Sequence, residues 1–307
     1  MKILITGGAG FIGSHINKLL LDKGHTVLVY DNLSRGFKEL IDPRAEFILG
    51  ALNEKEKLER SLQGVDAVIH MAAYIIVPES VEKPLLYIEN NVLGTAYLLE
   101  AMKKASVKKI ILSSSATVYG EPDSLPLTEE APIKQPANTY GFTKLTMENL
   151  LGLYYKTYEF DTIILRYFNP YGPNEMHNPE THAIPNFIKS TLLKKPIPLY
   201  WQGEQLRDFI YVEDLALAHI AVLDLEGYQV FNVGTEVGTK VIDVVNKIFE
   251  IVGYKVEFND LGERLGDVKA NYASSEKLRK SVGWRARTSL DEGLRKTIDF
   301  FKSKTGS

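Results

Sequence analysis

The chain has 307 residues, of which 45% are hydrophobic and 24% charged, a balance typical of a folded globular protein with one large domain or two that share a core. The net charge of −3 gives no basic surface field, which argues against nucleic acid or an anionic membrane as a partner. The absence of cysteine excludes disulfides and thiolate metal sites. No apolar run approaches the roughly 20 residues of a membrane helix. The first predicted strand begins at Lys2 and leaves no room for a signal peptide, so we expect a cytoplasmic protein.

Strand and helix patterns alternate through the first half of the chain. The apolar run Lys2–Ile5 predicts a buried strand, and Ser14–Leu21 predicts the helix that follows it. Further strands are predicted at Thr26–Tyr30, Glu46–Leu49, Ala67–His70, Ile110–Ser113 and Thr162–Arg166. Long helical patterns cover Leu85–Lys104 and Tyr140–Tyr158. This order predicts the α/β class, with a doubly wound parallel sheet of the Rossmann type.

The composition changes after Asn169. The prolines at positions 170, 173, 179, 185, 196 and 198 predict loops and short elements. A helix at Val212–Leu223 and a strand at Gln229–Val233 would return to the sheet, and two helical segments around a strand near Val256–Phe258 would follow Val241. We therefore predict a Rossmann domain of residues 1–168 plus about 212–240, and a smaller, discontinuous C-terminal domain of about 169–211 and 241–307.

A glycine-rich loop lies between the first strand and the first helix. Gly7, Gly10 and Gly13 would allow a tight turn, a close approach to a pyrophosphate and close helix packing. The helix N-terminus would offer N–H groups and a partial positive charge to the phosphates. Such a loop alone is weak evidence, because an ordinary turn can have the same glycines.

An acidic residue follows the second predicted strand. Asp31 lies eighteen residues after Gly13, where a carboxylate accepts hydrogen bonds from ribose hydroxyls and repels a 2′-phosphate. This favours NAD over NADP. The alternative is a turn or cap residue, and the nearby Arg35 keeps NADP open.

A proton-transfer cluster is predicted around Tyr140. Sixteen tyrosines occur, and only Tyr140 has a lysine four residues later, Lys144, on the same helix face. An ammonium and a cationic nicotinamide would both lower the tyrosine pKa from its usual value near 10, so that the phenolate could act as a base. Ser115, which follows the strand Ile110–Ser113, could hydrogen-bond the reacting oxygen. The alternatives are a surface Tyr/Lys pair and an ordinary serine.

These stretches together resemble the extended short-chain dehydrogenase/reductases, and more narrowly the UDP-glucose 4-epimerases. The resemblance rests on Gly7–Gly13, Ser113–Gly120 and Tyr140-x-x-x-Lys144. It extends to Glu79–Leu85, Asn90–Thr95, Arg166–Pro170, His177–His182, Arg207–Ile210 and Arg264–Asp267, and so to almost the whole chain. Related sugar-nucleotide dehydratases and decarboxylases place an acidic residue where this chain has Ala116 and Thr117.

The resemblance implies an isomerase that epimerises a UDP-hexose at C4 with NAD, most simply UDP-glucose and UDP-galactose. Tyr140 would take the proton of the sugar 4-hydroxyl, Ser115 would steady that oxygen, and hydride would pass to NAD and return to the other face. Alternatives are a UDP-N-acetylglucosamine or UDP-glucuronate 4-epimerase, or a keto-sugar-nucleotide reductase. A dinucleotide sensor on the same fold often lacks the Tyr/Lys pair.

The resemblance also implies binding residues for both ligands. It assigns NAD to Gly7, Gly10, Phe11, Ile12, Gly13, Asp31, Asn32, Leu52, Met71, Ala72, Ala73, Asn90, Ser113, Tyr140, Lys144 and Tyr167. It assigns the UDP-sugar, in the smaller domain, to Ser115, Thr117, Tyr140, Asn169, His182, Tyr200, Arg207, Arg264, Asp267 and Asn271. Arginine suits a diphosphate because its charged fork can bind two oxygens. The helices at 85–104 and 138–158 would form a homodimer.

Several positions depart from the resembled family. Ala51 replaces an acidic residue that touches adenine, and the stretch Leu199–Arg207 is shorter than usual. Asn271 occupies the position that gates the sugar pocket, so tolerance of an N-acetyl group stays open. His177 and His182 flank Glu180, but their spacing does not fit a helical metal motif, and no metal is expected.

Overall fold

The computed structural model describes residues 1–176, 182–263 and 268–305. In its first half, strands and helices alternate along the chain. They are β1 (Lys2–Thr6), α1 (Phe11–Asp22), β2 (Thr26–Asp31), β3 (Glu46–Leu49), α2 (Lys55–Ser61), β4 (Ala67–His70), α3 (Val77–Glu82), α4 (Pro84–Tyr87), α5 (Gly94–Lys104), β5 (Lys109–Ser115), α6 (Thr139–Tyr158) and β6 (Asp161–Tyr167). This half also contains short 3-10 turns at Lys38–Leu40 and Ala116–Tyr119 and a π turn at Ile88–Leu93.

The second half adds one sheet strand and a set of shorter elements. They are β7 (Asn169–Tyr171), α7 (Ala183–Leu192), β8 (Ile197–Leu199), β9 (Leu206–Arg207), β10 (Phe209–Tyr211), α8 (Val212–Ala221), β11 (Tyr228–Val233), β12 (Thr239–Lys240), α9 (Val241–Val252), β13 (Phe258–Asp260), α10 (Glu276–Val282) and α11 (Leu290–Thr305). None of the helices in the described ranges is both long and apolar enough to cross a membrane.

Seven of the described strands form one large parallel sheet in the order β11-β6-β5-β4-β1-β2-β3, and the other six pair as β10-β7, β12-β9 and β13-β8. The strand order reverses between β1 and β4, which are hydrogen-bonded neighbours. Ligands of doubly wound sheets bind at the carboxyl ends of the strands at such a reversal. The predicted fold class is therefore confirmed, and Thr6 and His70 mark the edge where a site is expected.

Side chains of β1 alternate between two cores because successive residues of a strand face opposite ways. Ile3 and Ile5 join the cluster that packs against α1 and α8, whereas Leu4 joins the cluster against α5 and α6. A third cluster, built around Ile188 and Val245, belongs to the second half of the chain. Both faces of the sheet are thus covered, and the third core lies outside it.

The structure differs from the predictions mainly in the second half. The proline-rich region contains the ten-residue helix α7, which tolerates Pro185 because its first turn needs no N–H from that position. From Val241 onward the described residues contain three helices, not two, and the strand there is Phe258–Asp260. In the first half, a π turn at Ile88–Leu93 interrupts the predicted helix Leu85–Lys104.

Candidate active site

A cavity of about 680 Å³ lies at the carboxyl ends of the sheet strands. Every predicted cofactor or substrate residue within the described ranges lines this cavity, from Gly7 in the first loop to Asn271 near the C-terminus. Arg264 and Asp267 lie outside the described residues. The fold thus brings together residues that are far apart in the sequence, while their individual roles stay predictions.

The glycine loop forms one wall of the cavity and depends on the absence of side chains. Gly7 has φ +73°, and a Cβ on it would lie 2.7 Å from the backbone nitrogen of Ala72. A Cβ on Gly13 would lie 2.6 Å from the carbonyl oxygen of Gly7. Gly10 precedes α1 and leaves the first turn without a side-chain cap. The loop therefore presents uncapped backbone N–H groups beside the cavity, as a pyrophosphate requires.

Asp31 ends β2 and is almost fully buried beside the glycine loop. Its Oδ2 accepts a hydrogen bond from the N–H of Ala9 at 3.0 Å, and its Oδ1 accepts one from Leu33 at 2.8 Å. Burial raises the Asp31 pKa, and these two hydrogen bonds oppose the rise. The residue therefore shapes the turn and also offers a fixed carboxylate to the cavity. Together with the glycine loop it fits an NAD cofactor.

Ser115, Tyr140 and Lys144 meet where β5 ends and α6 begins. The Asn138 side chain caps α6 by accepting the N–H of Gly141 at 2.9 Å, which fixes the helix start beside Tyr140. The Ser115 hydroxyl oxygen accepts hydrogen bonds from the N–H and the hydroxyl of Thr117, at 3.2 and 3.0 Å, so its own proton can be donated. The Lys144 Nζ donates to the carbonyl oxygen of Ser113 at 2.7 Å.

Burial shifts the pKa of both titratable groups in this cluster. It raises the pKa of Tyr140 to about 12, against the opposing hydrogen bond with Ser115. It lowers the pKa of Lys144 to about 7, against the opposing charge of Glu148. Burial therefore outweighs the neighbouring Lys144 in setting the tyrosine pKa. The expectation that an ammonium and a cationic nicotinamide together lower this pKa stays a prediction. Desolvation is the larger effect, and a phenolate here requires a positive charge that the side chains alone do not supply.

Sequence reasoning missed a buried carboxylate one helical turn beyond Lys144. Glu148 accepts hydrogen bonds from Arg166 Nε at 3.0 Å and Nη2 at 2.6 Å, and from the hydroxyl of Ser114. Arg166 also donates to the hydroxyl of Tyr119 at 2.9 Å. This group ties α6 to the ends of β5 and β6. The repeated spacing of four residues from Tyr140 to Lys144 to Glu148 was the available signal.

The opposite end of the cavity is lined by polar side chains from the second half of the chain. Arg207 is buried, and it donates from Nη1 to the carbonyl of Leu206 at 2.8 Å and from Nη2 to that of Val268 at 2.7 Å. Asn169, Gln205 and Asn271 each have a buried side-chain oxygen with no hydrogen-bond partner among the described residues. Buried acceptors of this kind indicate a place for ligand donors. Gln205 was missed, because nothing in its local sequence marks it.

Several other predicted features can be located. His182 shares a hydrogen bond between its Nδ1 and Glu175 Oε1, at 2.7 Å. Ala51 and Leu52 line the cavity, and the N–H of Ala51 donates to Glu54 at 2.7 Å. In the described part of the chain no group of three or more acidic or histidine side chains could hold a metal. His177 and Glu180 lie outside that part.

The sheet order, the glycine loop and the Ser/Tyr/Lys cluster define a dinucleotide-binding protein of the extended short-chain dehydrogenase/reductase class. Residues 3–234 match the NAD dependent epimerase/dehydratase family, and the chain belongs to that family. This confirms the resemblance seen in the sequence, and the predicted cofactor, NAD, is the cofactor of the family.

Curated relatives and solved structures are similar to this chain over nearly its full length. A UDP-glucose 4-epimerase of Lactobacillus helveticus is 38% identical and covers 94% of this chain and 92% of its own. The structure of the Thermotoga maritima UDP-glucose 4-epimerase with UDP-glucose is similar at TM-score 0.95 and 35% identity, covering 99% of this chain and 100% of its own. The structure of a UDP-N-acetylglucosamine 4-epimerase from Methanobrevibacter ruminantium in complex with UDP-N-acetylmuramic acid is similar at TM-score 0.93 and 34% identity. The match covers 99% of this chain and 98% of that one.

Replacing Lys144 with methionine tests the lysine pKa. Because the folded pKa of about 7 lies below the ordinary 10.5, the folded chain binds fewer protons than the unfolded chain between these values. The free energy of unfolding of the wild type, relative to Lys144→Met, should therefore rise above about pH 7 by up to about 1.4 kcal/mol per pH unit. Urea titrations of both nucleotide-free chains at about pH 6, 7.5 and 9 measure this. A difference that stays constant between the two higher pH values would contradict the lowered pKa.

Proposed function

We propose that the chain is an NAD-dependent isomerase that epimerises a UDP-hexose at C4, interconverting UDP-glucose and UDP-galactose. The observation that carries this proposal is the convergence of Ser115, Tyr140 and Lys144 on the cavity that the glycine loop and Asp31 also line. The curated and structural relatives named above support the same reaction.

Tyr140 is the group that takes and returns the proton of the sugar 4-hydroxyl. Ser115 donates its hydroxyl proton to the same sugar oxygen, since Thr117 already occupies its acceptor side. The glycine loop and Asp31 would hold NAD, which would supply the acceptor and then the donor for the hydride of C4. Lys144 is anchored to Ser113 on the wall of the cavity and shares the helix face of Tyr140, where it stabilises the phenolate when protonated.

The two residues that follow Ser115 in the chain favour epimerisation over elimination of water. A dehydratase needs an acidic side chain beside the sugar to assist the loss of water, whereas the two residues after Ser115 are Ala116 and Thr117. Both line the cavity, and neither can donate or accept a proton at neutral pH as a carboxyl group does. The 4-keto sugar would therefore keep its other hydroxyl groups until hydride returns to C4.

The UDP part of the substrate occupies the end of the cavity lined by the second half of the chain. Arg207 carries a permanent charge there for the diphosphate, and Tyr200 supplies an aromatic surface for the base. We assign NAD binding to residues 1–168 and about 212–240, and nucleotide-sugar binding to about 169–211 and 241–307. The separate core around Ile188 and Val245 supports this division, although Leu278 and Trp284 pack with the sheet.

A homodimer through the helices at 85–104 and 138–158 is part of the proposal. Leu85, Leu93, Phe142 and Leu153 expose large apolar side chains on these two segments, and burial of such surfaces favours association. Light scattering at micromolar concentration measures the assembly, and a monomer would contradict it. A cytoplasmic location stays a prediction.

Tyr140→Phe removes the proposed base and leaves the ring in place. We expect the kcat for UDP-glucose to fall by about 10²- to 10⁴-fold, which is the usual contribution of a positioned acid or base, with NAD affinity unchanged. Tyr155→Phe, on the exposed part of the same helix, is the matched control and should keep wild-type activity. NMR detection of the 4-epimer and calorimetry of NAD binding give the two readouts. Activity of Tyr140→Phe within about threefold of the wild type would exclude the assigned role.

A second candidate substrate is UDP-N-acetylglucosamine. The Asn271 side-chain oxygen is buried at the cavity without a partner among the described residues, so it could accept the N–H of an acetamido group. An epimerase of that substrate is also structurally similar to this chain.

Asn271→Tyr separates the two substrates by adding bulk at the proposed gate. We expect the variant to lower kcat/KM for UDP-N-acetylglucosamine at least about tenfold more than for UDP-glucose, because the acetamido group needs the space and the acceptor. Asn259→Tyr, on the exposed strand β13, controls for the added ring. Equal losses for both substrates would argue against a gate at Asn271.

A further inference from the structure

Arg35 is held beside the cofactor end of the cavity by an acidic partner from another element. It lies four residues after Asp31 and lines the cavity with Asp31 and Asn32. Its Nη2 donates to Glu79 Oε1 at 2.8 Å and to Oε2 at 2.7 Å. Its guanidinium carbon lies 5.1 Å from the ring centre of Tyr74. The charge of Arg35 is therefore matched before any ligand arrives.

Glu79 is fixed from behind by a buried tyrosine. It lies on α3 and accepts a hydrogen bond from the hydroxyl of Tyr87 at 3.1 Å. Tyr87 is fully buried, and its hydroxyl oxygen accepts a hydrogen bond from the N–H of Ile76 at 2.9 Å. Its one proton is shared between Glu79 and the carbonyl oxygen of Ile76, which lies at 2.8 Å. The Glu79 side chain is 17% exposed, less than half the 36% of Arg35. The pair is thus anchored at the carboxylate, and Arg35 is the member that could move.

Tyr74, the second contact of Arg35, is also fixed. Its N–H donates to the Asn91 side-chain oxygen at 2.8 Å, and its carbonyl accepts from the Asn91 amide at 3.0 Å. The loop that follows β4 is therefore held at its backbone, and it places the Tyr74 ring against the guanidinium. Glu79 and Tyr74 contact the same guanidinium from two different elements, which distinguishes this interaction from an isolated surface ion pair.

The position of Arg35 in the sequence relates its contact with Glu79 to recognition of the cofactor. In dinucleotide-binding sheets, an arginine close behind the second strand is the group that accommodates a 2′-phosphate, whereas an acidic residue at the strand end selects the free hydroxyl. This chain has both residue types. The two would conflict if Arg35 were available, because a cation beside Asp31 would offset its repulsion of phosphate.

We propose that Glu79 is a cofactor-specificity residue, which selects NAD over NADP by holding Arg35 away from the adenosine 2′ position. Discrimination then has two parts: Asp31 repels a 2′-phosphate, and Glu79 withholds the cation that could bind it. The inference rests on the NAD-binding part of the proposed function and is independent of the sugar substrate.

Glu79→Gln releases the arginine with little change of shape. We expect the affinity for NADP⁺ relative to that for NAD⁺ to rise about tenfold, since a charge-assisted arginine–phosphate contact becomes possible. Glu82→Gln removes the same charge from an exposed position of the same helix and should leave the ratio unchanged. The gain should disappear in the double variant Glu79→Gln/Arg35→Ala. Calorimetric titration of the full-length, nucleotide-free chain with each cofactor gives the ratio.

Arg35→Ala in the otherwise wild-type chain provides a second test that does not disturb Tyr87. If Glu79 already withholds the arginine, its removal should change the NADP⁺/NAD⁺ affinity ratio by less than about twofold. The proposal is overturned if Arg35→Ala weakens NADP⁺ selectively, if Glu79→Gln shifts the ratio no more than Glu82→Gln, or if its gain persists without Arg35. These binding ratios are read without sugar turnover, so they do not depend on whether the chain epimerises UDP-glucose.

Discussion

The whole candidate site depends on buried polar contacts that lock helix α6 against the ends of β5 and β6. Lys144 donates to the Ser113 carbonyl, and one turn later Glu148 binds the Ser114 hydroxyl and the Arg166 guanidinium. Removing one member of such a buried ion pair typically costs about 3–5 kcal/mol, because the other charge is left without a partner. The lock fixes Tyr140 opposite Ser115, so contacts outside this pair set the geometry of the proton transfer that we propose.

Burial of this helix face also sets the electrostatics of the site. Tyr140 alone stays protonated near neutral pH because desolvation raises its pKa, and desolvation lowers the pKa of Lys144 to about 7. A positive charge brought into the cavity would favour the phenolate and oppose protonation of the lysine. Ionisation of Tyr140 would therefore depend on a bound cofactor. The protein positions the phenol, and the cofactor would supply the positive charge.

The sequence predicts the parts of this arrangement that are local. Apolar runs and glycines predict the sheet strands and the loop at Gly7–Gly13, and a spacing of four residues predicts the helix face of Tyr140 and Lys144. It does not predict contacts between distant segments, such as Glu148 with Arg166 or Arg35 with Glu79, because neither partner carries a local signal. The helix α7 was missed because Pro185 reads as a breaker, although a first helical turn accepts it. The upward effect of burial on the Tyr140 pKa was not predicted, because burial cannot be read from charge spacing.

Deuterium transfer at C4 of the sugar tests the central claim most directly. Purified full-length protein would be incubated with UDP-glucose deuterated at C4, without added cofactor, and the product followed by NMR. The proposed function predicts UDP-galactose with the deuterium still on C4, because the hydride would leave and return within the same cavity. No epimer even after NAD is added, or an epimer whose C4 deuterium has been replaced by solvent hydrogen, would contradict it.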